Sequence, residues 1–124
     1  MSTRSAEAFD AEQFRLEVRT FCRREFPSDL AEKASTHAYF SKDDRVRWQR
    51  ILQRRGWFAG HWPREHGGAG WGARQRFIFI EELERAGTPW LTHFGVSFAG
   101  PVLYTFGTEA QKARFLPGIL QSEC

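Results

Sequence analysis

Cysteine is scarce in this chain: Cys22 and Cys124 are the two present in 124 residues. Two thiols so placed build no disulfide framework, which sets aside the small secreted scaffolds that depend on one. No run of about 18 apolar residues occurs, so no membrane-spanning helix is expected. The opening segment MSTRSAEAFDAEQF lacks the apolar core of a signal peptide and is too acidic for a transit peptide, which makes the cytoplasm the expected compartment. Charge of one sign is lacking too. Eighteen Lys and Arg against fifteen Asp and Glu leave a net charge of +3, far from the concentrated basic character of a dedicated nucleic-acid binder. Strand alternation, internal repeats and low-complexity tracts are all missing. The expectation is a single all-α domain, a bundle of five or six helices.

Aromatic residues are abundant. Twelve Phe and five Trp point to an unusually aromatic core. A first helix begins at the N-cap Asp10, with Gln13 three residues on and Phe9 and Phe14 placed as a hydrophobic staple. Phe14, Val18, Phe21 and Cys22 then form one apolar stripe, and Phe26-Pro27 ends the helix. Cys22 reads as a small core residue. Residues 27–40 read as a connector with room for a short helical turn. A second helix starts at Ser41, with Asp43 and Asp44 in its first turn, and ends at Arg54-Arg55-Gly56; Trp48, Ile51 and Leu52 share its apolar face. A helix over residues 73–86 carries Phe77, Ile78, Ile80 and Leu83 opposite a polar face of Glu81, Glu82, Glu84 and Arg85. Gly87 and Thr88-Pro89 close it. A fourth segment over residues 92–106 must break or kink at Pro101. A last helix starts at Thr108, with Gln111 completing a capping box, and should bend or break at Pro117.

Candidate chemistry is thin. The segment GWFAGHWPREHGGAGWG (56–72) holds six of the eleven glycines and three of the five tryptophans, and reads as an ordered loop pinned by Trp57, Trp62 and Trp71. Its G-A-G-W-G string misses the G-x-G-x-x-G spacing and no strand precedes it, so a tight turn is favoured over a dinucleotide cradle. His61, Glu65 and His66 fit no metal-ligand spacing. Consecutive glutamates at 81 and 82 point to different sides of a helix, which favours a solvated face, with Glu81 paired to Arg85 at i, i+4. Ser97 and Ser122 lack a nucleophile context. The cluster Arg45, Arg47, Arg50, Arg54 and Arg55 covers several helix faces and reads as solvated charge. Gly95, Ser97, Ala99 and Gly100 form a run of small residues beside Phe94 and Phe98. Such a run leaves either a slot for an apolar chain or a close helix contact, and both readings stay open.

Four strings carry a resemblance: RWQRILQRRGW (47–57), HWPREHGGAGWG (61–72), FIFIEELERAGTP (77–89) and FAGPVLYTFGTEAQKARFLPGIL (98–120). In their order and spacing they resemble the N-terminal helical domain of the acyl-CoA dehydrogenase family, over essentially the whole chain from about Phe9. The flavour is that of large subunits acting on dicarboxyl, aromatic or steroid acyl groups. The resemblance implies an FAD enzyme that oxidises the Cα–Cβ bond of an acyl-CoA. It implies three domains, of which the middle β-domain and the C-terminal helical domain carry the catalytic base and most flavin contacts. It implies a dimer or tetramer with other dehydrogenase domains or subunits as partners.

The chain stops at Cys124, before the W-C-Q-G-x-S-E-P-like strand of the family. The expected domain map is a disordered stretch over 1–8 and the helical domain over 9–124, without the two later domains. No catalytic residue is assigned, and the chain alone is expected to be inactive and not to hold FAD. By analogy the acyl wall falls on Trp90, Phe94, Gly95 and Phe98. Two other readings remain: a stand-alone helical module that pairs with a dehydrogenase subunit and, more remotely, a basic helical domain that binds nucleic acid.

Overall fold

The computed structural model describes residues 10–91 and 94–123; the side chain of Phe94, Phe9 of the expected staple and the expected disorder over 1–8 lie outside the described residues. Six α-helices and no strand are found among them. Helix α1 spans Ala11–Glu25, and the Asp10 carboxylate accepts the Gln13 N–H at 3.0 Å. Its buried residues are Phe14, Val18, Phe21 and Cys22, the stripe set by their spacing. Helix α2, Ser28–Ser35, is a full eight-residue helix where the sequence reads as a connector. Pro27 supplies the preset φ before its first turn, Leu30 is fully buried, and Lys33 and Asp29 pair with Asp44 and Arg47 of the next helix.

Helix α3, Lys42–Arg54, has a reciprocal cap: the Asp44 N–H donates to Ser41 Oγ and the Ser41 N–H donates to the Asp44 carboxylate. The loop after it is ordered, as its tryptophans require. Trp57, Trp62 and Trp71 are all buried. Helix α4 spans Ala73–Ala86 and ends at Gly87, whose φ of 76° is the left-handed conformation that glycine adopts without strain. A π-helical turn covers Phe94–Ala99 and passes directly into α5, Gly100–Phe106, with Pro101 in the first turn. Pro101 therefore marks a change of helix type. Helix α6, Glu109–Leu120, starts on the Thr108/Gln111 box. It does not break at Pro117 but runs on to Leu120.

The core is built where α1 lies against α4. Phe14 meets the Trp71 ring at 5.3 Å, Phe21 meets Trp57 at 4.9 Å and Trp71 meets Phe79 at 4.8 Å, in tilted or edge-on pairs. Such pairs contribute about 0.5–1.5 kcal/mol each beyond their buried area. The face of α4 that enters this core is Ile78, Phe79, Glu82 and Leu83. This corrects the reading of α4 in two ways. Phe77 and Ile80 are exposed, not core, and Glu82 is buried rather than solvated, only 2% exposed. The Arg19 Nε–H donates to Glu82 Oε1 at 3.0 Å, and Arg15 donates to Oε2 at 2.7 Å. Arg15 also binds Glu81, so the expected Glu81–Arg85 surface pair is replaced by an interhelical one.

Cys22 is buried in the same core, and burial pushes its thiol up to about 12, with the nearby Glu82 charge adding to the shift. A thiol kept protonated is unreactive. Iodoacetamide at pH 8 is expected to leave Cys22 unlabelled in the folded chain and to label it in urea, as peptide mapping would read. Labelling in native buffer at the urea rate would contradict this burial.

Candidate functional site

The segment from Trp90 to Phe106 carries all the residues assigned to an acyl wall, and three devices hold it. The first is a missing donor. Pro101 has no N–H to give to the Val96 carbonyl five residues earlier, the i→i+5 bond of a π turn. The Trp62 indole N–H donates to that oxygen at 2.6 Å, and His61 Nε2 lies 3.2 Å from it. The second device is close approach. A Cβ at Gly100 would fall 2.0 Å from the Trp62 ring, and one at Gly95 would fall 3.0 Å from Ile119 Cγ2. The small-residue run therefore serves tight packing at these two positions. The third is polar: the Arg76 guanidinium donates to Ser97 Oγ at 3.1 Å, and the His66 ring stacks on Tyr104 at 5.1 Å.

Held in this way, the segment turns several large apolar groups outward. Trp90 is 81% exposed, Phe98 63% and Phe106 82%, and Val102 is also exposed. Phe98, Val102 and Phe106 stand at i, i+4, i+8, a single stripe along the π turn and α5. Trp90 lines a cleft of 240 Å³ with Ile80, Leu83, Pro89 and Leu91 at the end of α4. Gly95 lines a separate cavity of 230 Å³ with Val46, Gln49, Phe58, Val96 and Ile119. The four assigned residues are thus on one segment, but Trp90 and Gly95 open onto different cavities, and Phe98 lines neither. Sequence spacing alone does not identify Trp62 as the donor in the Trp62–Val96 contact that orders this segment. The i+5 relation of Pro101 to Val96 was its one available signal.

The glycine loop does not fit the pyrophosphate of the flavin nucleotide that the resemblance implies. Every backbone N–H from Gly67 to Gly72 is already donated within the chain. Gly67 gives to Arg64 O, Gly68 to Pro63 O, Ala69 and Trp71 to Gly60 O, Gly70 to Trp62 O, and Gly72 to Gln75 Oε1. A phosphate cradle needs such donors free and convergent. No cluster of three or more His, Cys, Asp or Glu able to hold a metal is found among the described residues. Both oxygens of the buried Glu82 are taken by arginines, so this carboxylate serves as a structural anion.

Four of the five arginines of the basic patch are likewise committed to structure. Arg45 donates to Phe40 O, Arg47 to Asp29 and Arg50 to Gln121 O, while the Arg55 guanidinium lies 4.6 Å over the Trp57 ring. No helix among the described residues is long and apolar enough to cross a membrane.

Residues 9–123 match the family model described as acyl-CoA dehydrogenase, N-terminal domain. Acyl-CoA dehydrogenase IpdE1 of Mycobacterium tuberculosis is 36% identical over 117 residues, which cover 89% of this chain and 30% of that protein. Acyl-CoA dehydrogenase FadE29 of the same organism is 44% identical over 62 residues, or 50% of this chain. The chain spans about 30% of the length of the IpdE1 relatives. Among solved structures, the Tcur3481-Tcur3483 steroid ACAD superposes with a TM-score of 0.72 at 30% identity, over 91% of this chain and 29% of that one. The ChsE4-ChsE5 complex from Mycobacterium tuberculosis gives 0.72 at 28% identity, over 94% of this chain and 29% of its match.

Proposed function

Because the chain belongs to the acyl-CoA dehydrogenase family through that N-terminal domain, we propose that it forms one wall of the acyl pocket in an FAD-dependent α,β-dehydrogenation of an acyl-CoA thioester. The observation that carries this is the outward display of Trp90, Phe98, Val102 and Phe106 on a segment fixed from behind by Trp62. A soluble domain rarely exposes so many large apolar groups on one segment without something to cover them. Trp90, Phe94, Gly95 and Phe98 are the proposed contacts to the acyl chain. A solved neighbour titled as a steroid ACAD supports a bulky, rigid acyl group rather than a short one.

The flavin and the base belong, in this proposal, to the β-domain and the C-terminal helical domain that follow this domain in the family. The chain alone is then colourless and shows no acyl-CoA-dependent dye reduction. Neighbours titled as two-protein assemblies support a dehydrogenase subunit as partner, in a dimer or tetramer.

The test is a chimera in which residues 9–123 replace the matching domain of the mycobacterial relative. It should retain flavin and turn over acyl-CoA. Trp90→Ala with Phe98→Ala should raise KM for the acyl-CoA roughly tenfold, the loss of about 1.4 kcal/mol of apolar contact, with flavin content unchanged. A flavin-replete chimera whose KM ignores both substitutions removes the acyl wall. A flavin spectrum on the isolated chain removes the assignment of the cofactor to other domains.

A further inference from the structure

Away from the exposed apolar segment, the C-terminal turns of α1 and α4 open onto a cleft of 380 Å³. Three guanidinium side chains line it: Arg19 and Arg23, one turn apart on α1, and Arg85 on α4. The floor is apolar and includes Cys22 and Phe26. One carboxylate faces the cleft, that of Glu82, and its two oxygens are already bonded by Arg19 and Arg15. Arg15 and Arg19 use up Glu81 and Glu82, which leaves Arg23 and Arg85 without an ion pair to any described residue.

Basic residues in a last turn commonly serve the helix dipole and its terminal carbonyls. Three of those carbonyls have other donors here. The Phe26 N–H gives to Cys22 O, the Gly87 N–H to Glu84 O, and both the N–H and hydroxyl of Thr88 to Leu83 O. At these three oxygens capping does not require the two guanidinium groups. The dipoles offset part of their positive charge but not both unit charges, since each terminus carries only about half a charge.

We propose that this cleft binds a phosphate monoester. The unpaired guanidinium groups of Arg23 and Arg85 match a dianion in charge and offer the planar, bidentate donors that phosphate oxygens take. The organic group lies on Phe26 and the apolar floor. Neither the acyl wall nor the flavin enters this assignment.

The probes are inorganic phosphate and phenyl phosphate, titrated calorimetrically into the 124-residue chain at low ionic strength. Both should bind one to one, phenyl phosphate several-fold more tightly. The Arg23→Gln, Arg85→Gln double variant should weaken both by at least about tenfold, without a change in the melting temperature of the ligand-free chain. Because both side chains are exposed, the variant keeps the core intact. Non-saturable heats, equal affinity for the two probes, an undiminished affinity in the variant, or the same response to chloride at matched ionic strength would each overturn the proposal.

Discussion

Gly68→Ala should destabilise the domain by about 3 kcal/mol, the upper end of the range for overpacking, and lower its melting temperature by roughly 10 °C. The reason is contact rather than backbone angle. A Cβ at this position would stand 2.2 Å from the Trp62 carbonyl oxygen and 2.6 Å from that of Ala59. Both are backbone atoms inside the ordered loop, so no rotamer change relieves the clash. The Gly68 N–H is bonded to Pro63 O and the Gly70 N–H to Trp62 O, so moving either strand of the loop breaks further bonds.

Two neighbours calibrate the expectation. Gly70 has a φ of 69° and only flexible Arg64 atoms nearby, so Gly70→Ala should cost about 1 kcal/mol, the usual penalty for a left-handed alanine. Gly72 meets nothing within 4 Å, and Gly72→Ala should change stability by less than that. Urea unfolding followed by tryptophan fluorescence measures all three. A Gly68→Ala variant within about 1 kcal/mol of the parent would show that the loop relaxes more freely than these contacts allow.

The helices were legible because their signals are local. Asp10, Ser41 and Thr108 each accept the N–H three residues on, and Gly87 takes the left-handed angle that ends α4, so caps in the sequence became caps in the structure. The π turn was legible only in half. Pro101 announced an interruption, but its form depends on Trp62, 34 residues away from the Val96 carbonyl it supplies. The exposed segment escaped the pattern for a related reason. Periodicity finds apolar residues without saying what will cover them, so the outward exposure of Phe98, Val102 and Phe106 is seen only in the fold. On α4 two apolar strips overlap. Phe77 and Ile80 compete with Ile78 and Phe79, and the choice is made by α1, whose Arg15 and Arg19 sit one turn apart beside the buried Phe14 and Val18. Two arginines flanking an apolar stripe, matched by acidic residues at 81 and 82, were the clue to a buried carboxylate.

That carboxylate sets the second large effect. Glu82→Gln should cost about 2–3 kcal/mol at pH 7, the scale for losing charged hydrogen bonds from a buried acceptor, below the full cost of breaking a buried pair because both arginines still touch water. The Arg19 hydrogen bonds hold the Glu82 carboxyl below its ordinary value of 4.5; burial opposes them, and Arg15 adds to the lowering. A carboxyl lowered in the folded state binds fewer protons there than in the unfolded chain, so its stabilisation is fully present above the ordinary value. It is lost as pH falls through the lowered one.

Asp29, held down by Arg47, and Asp44, held down by Lys33, slope in the same direction. The informative quantity is therefore the difference between parent and Glu82→Gln chains. That gap should be constant from pH 8 to about 6 and close progressively below pH 4.5 as the parent carboxyl takes up its proton and comes to resemble the amide. Urea titrations at steps across this range would read it. A gap that persists undiminished to pH 3 would mean that Glu82 stabilises the α1–α4 contact by shape, with its charge contributing nothing.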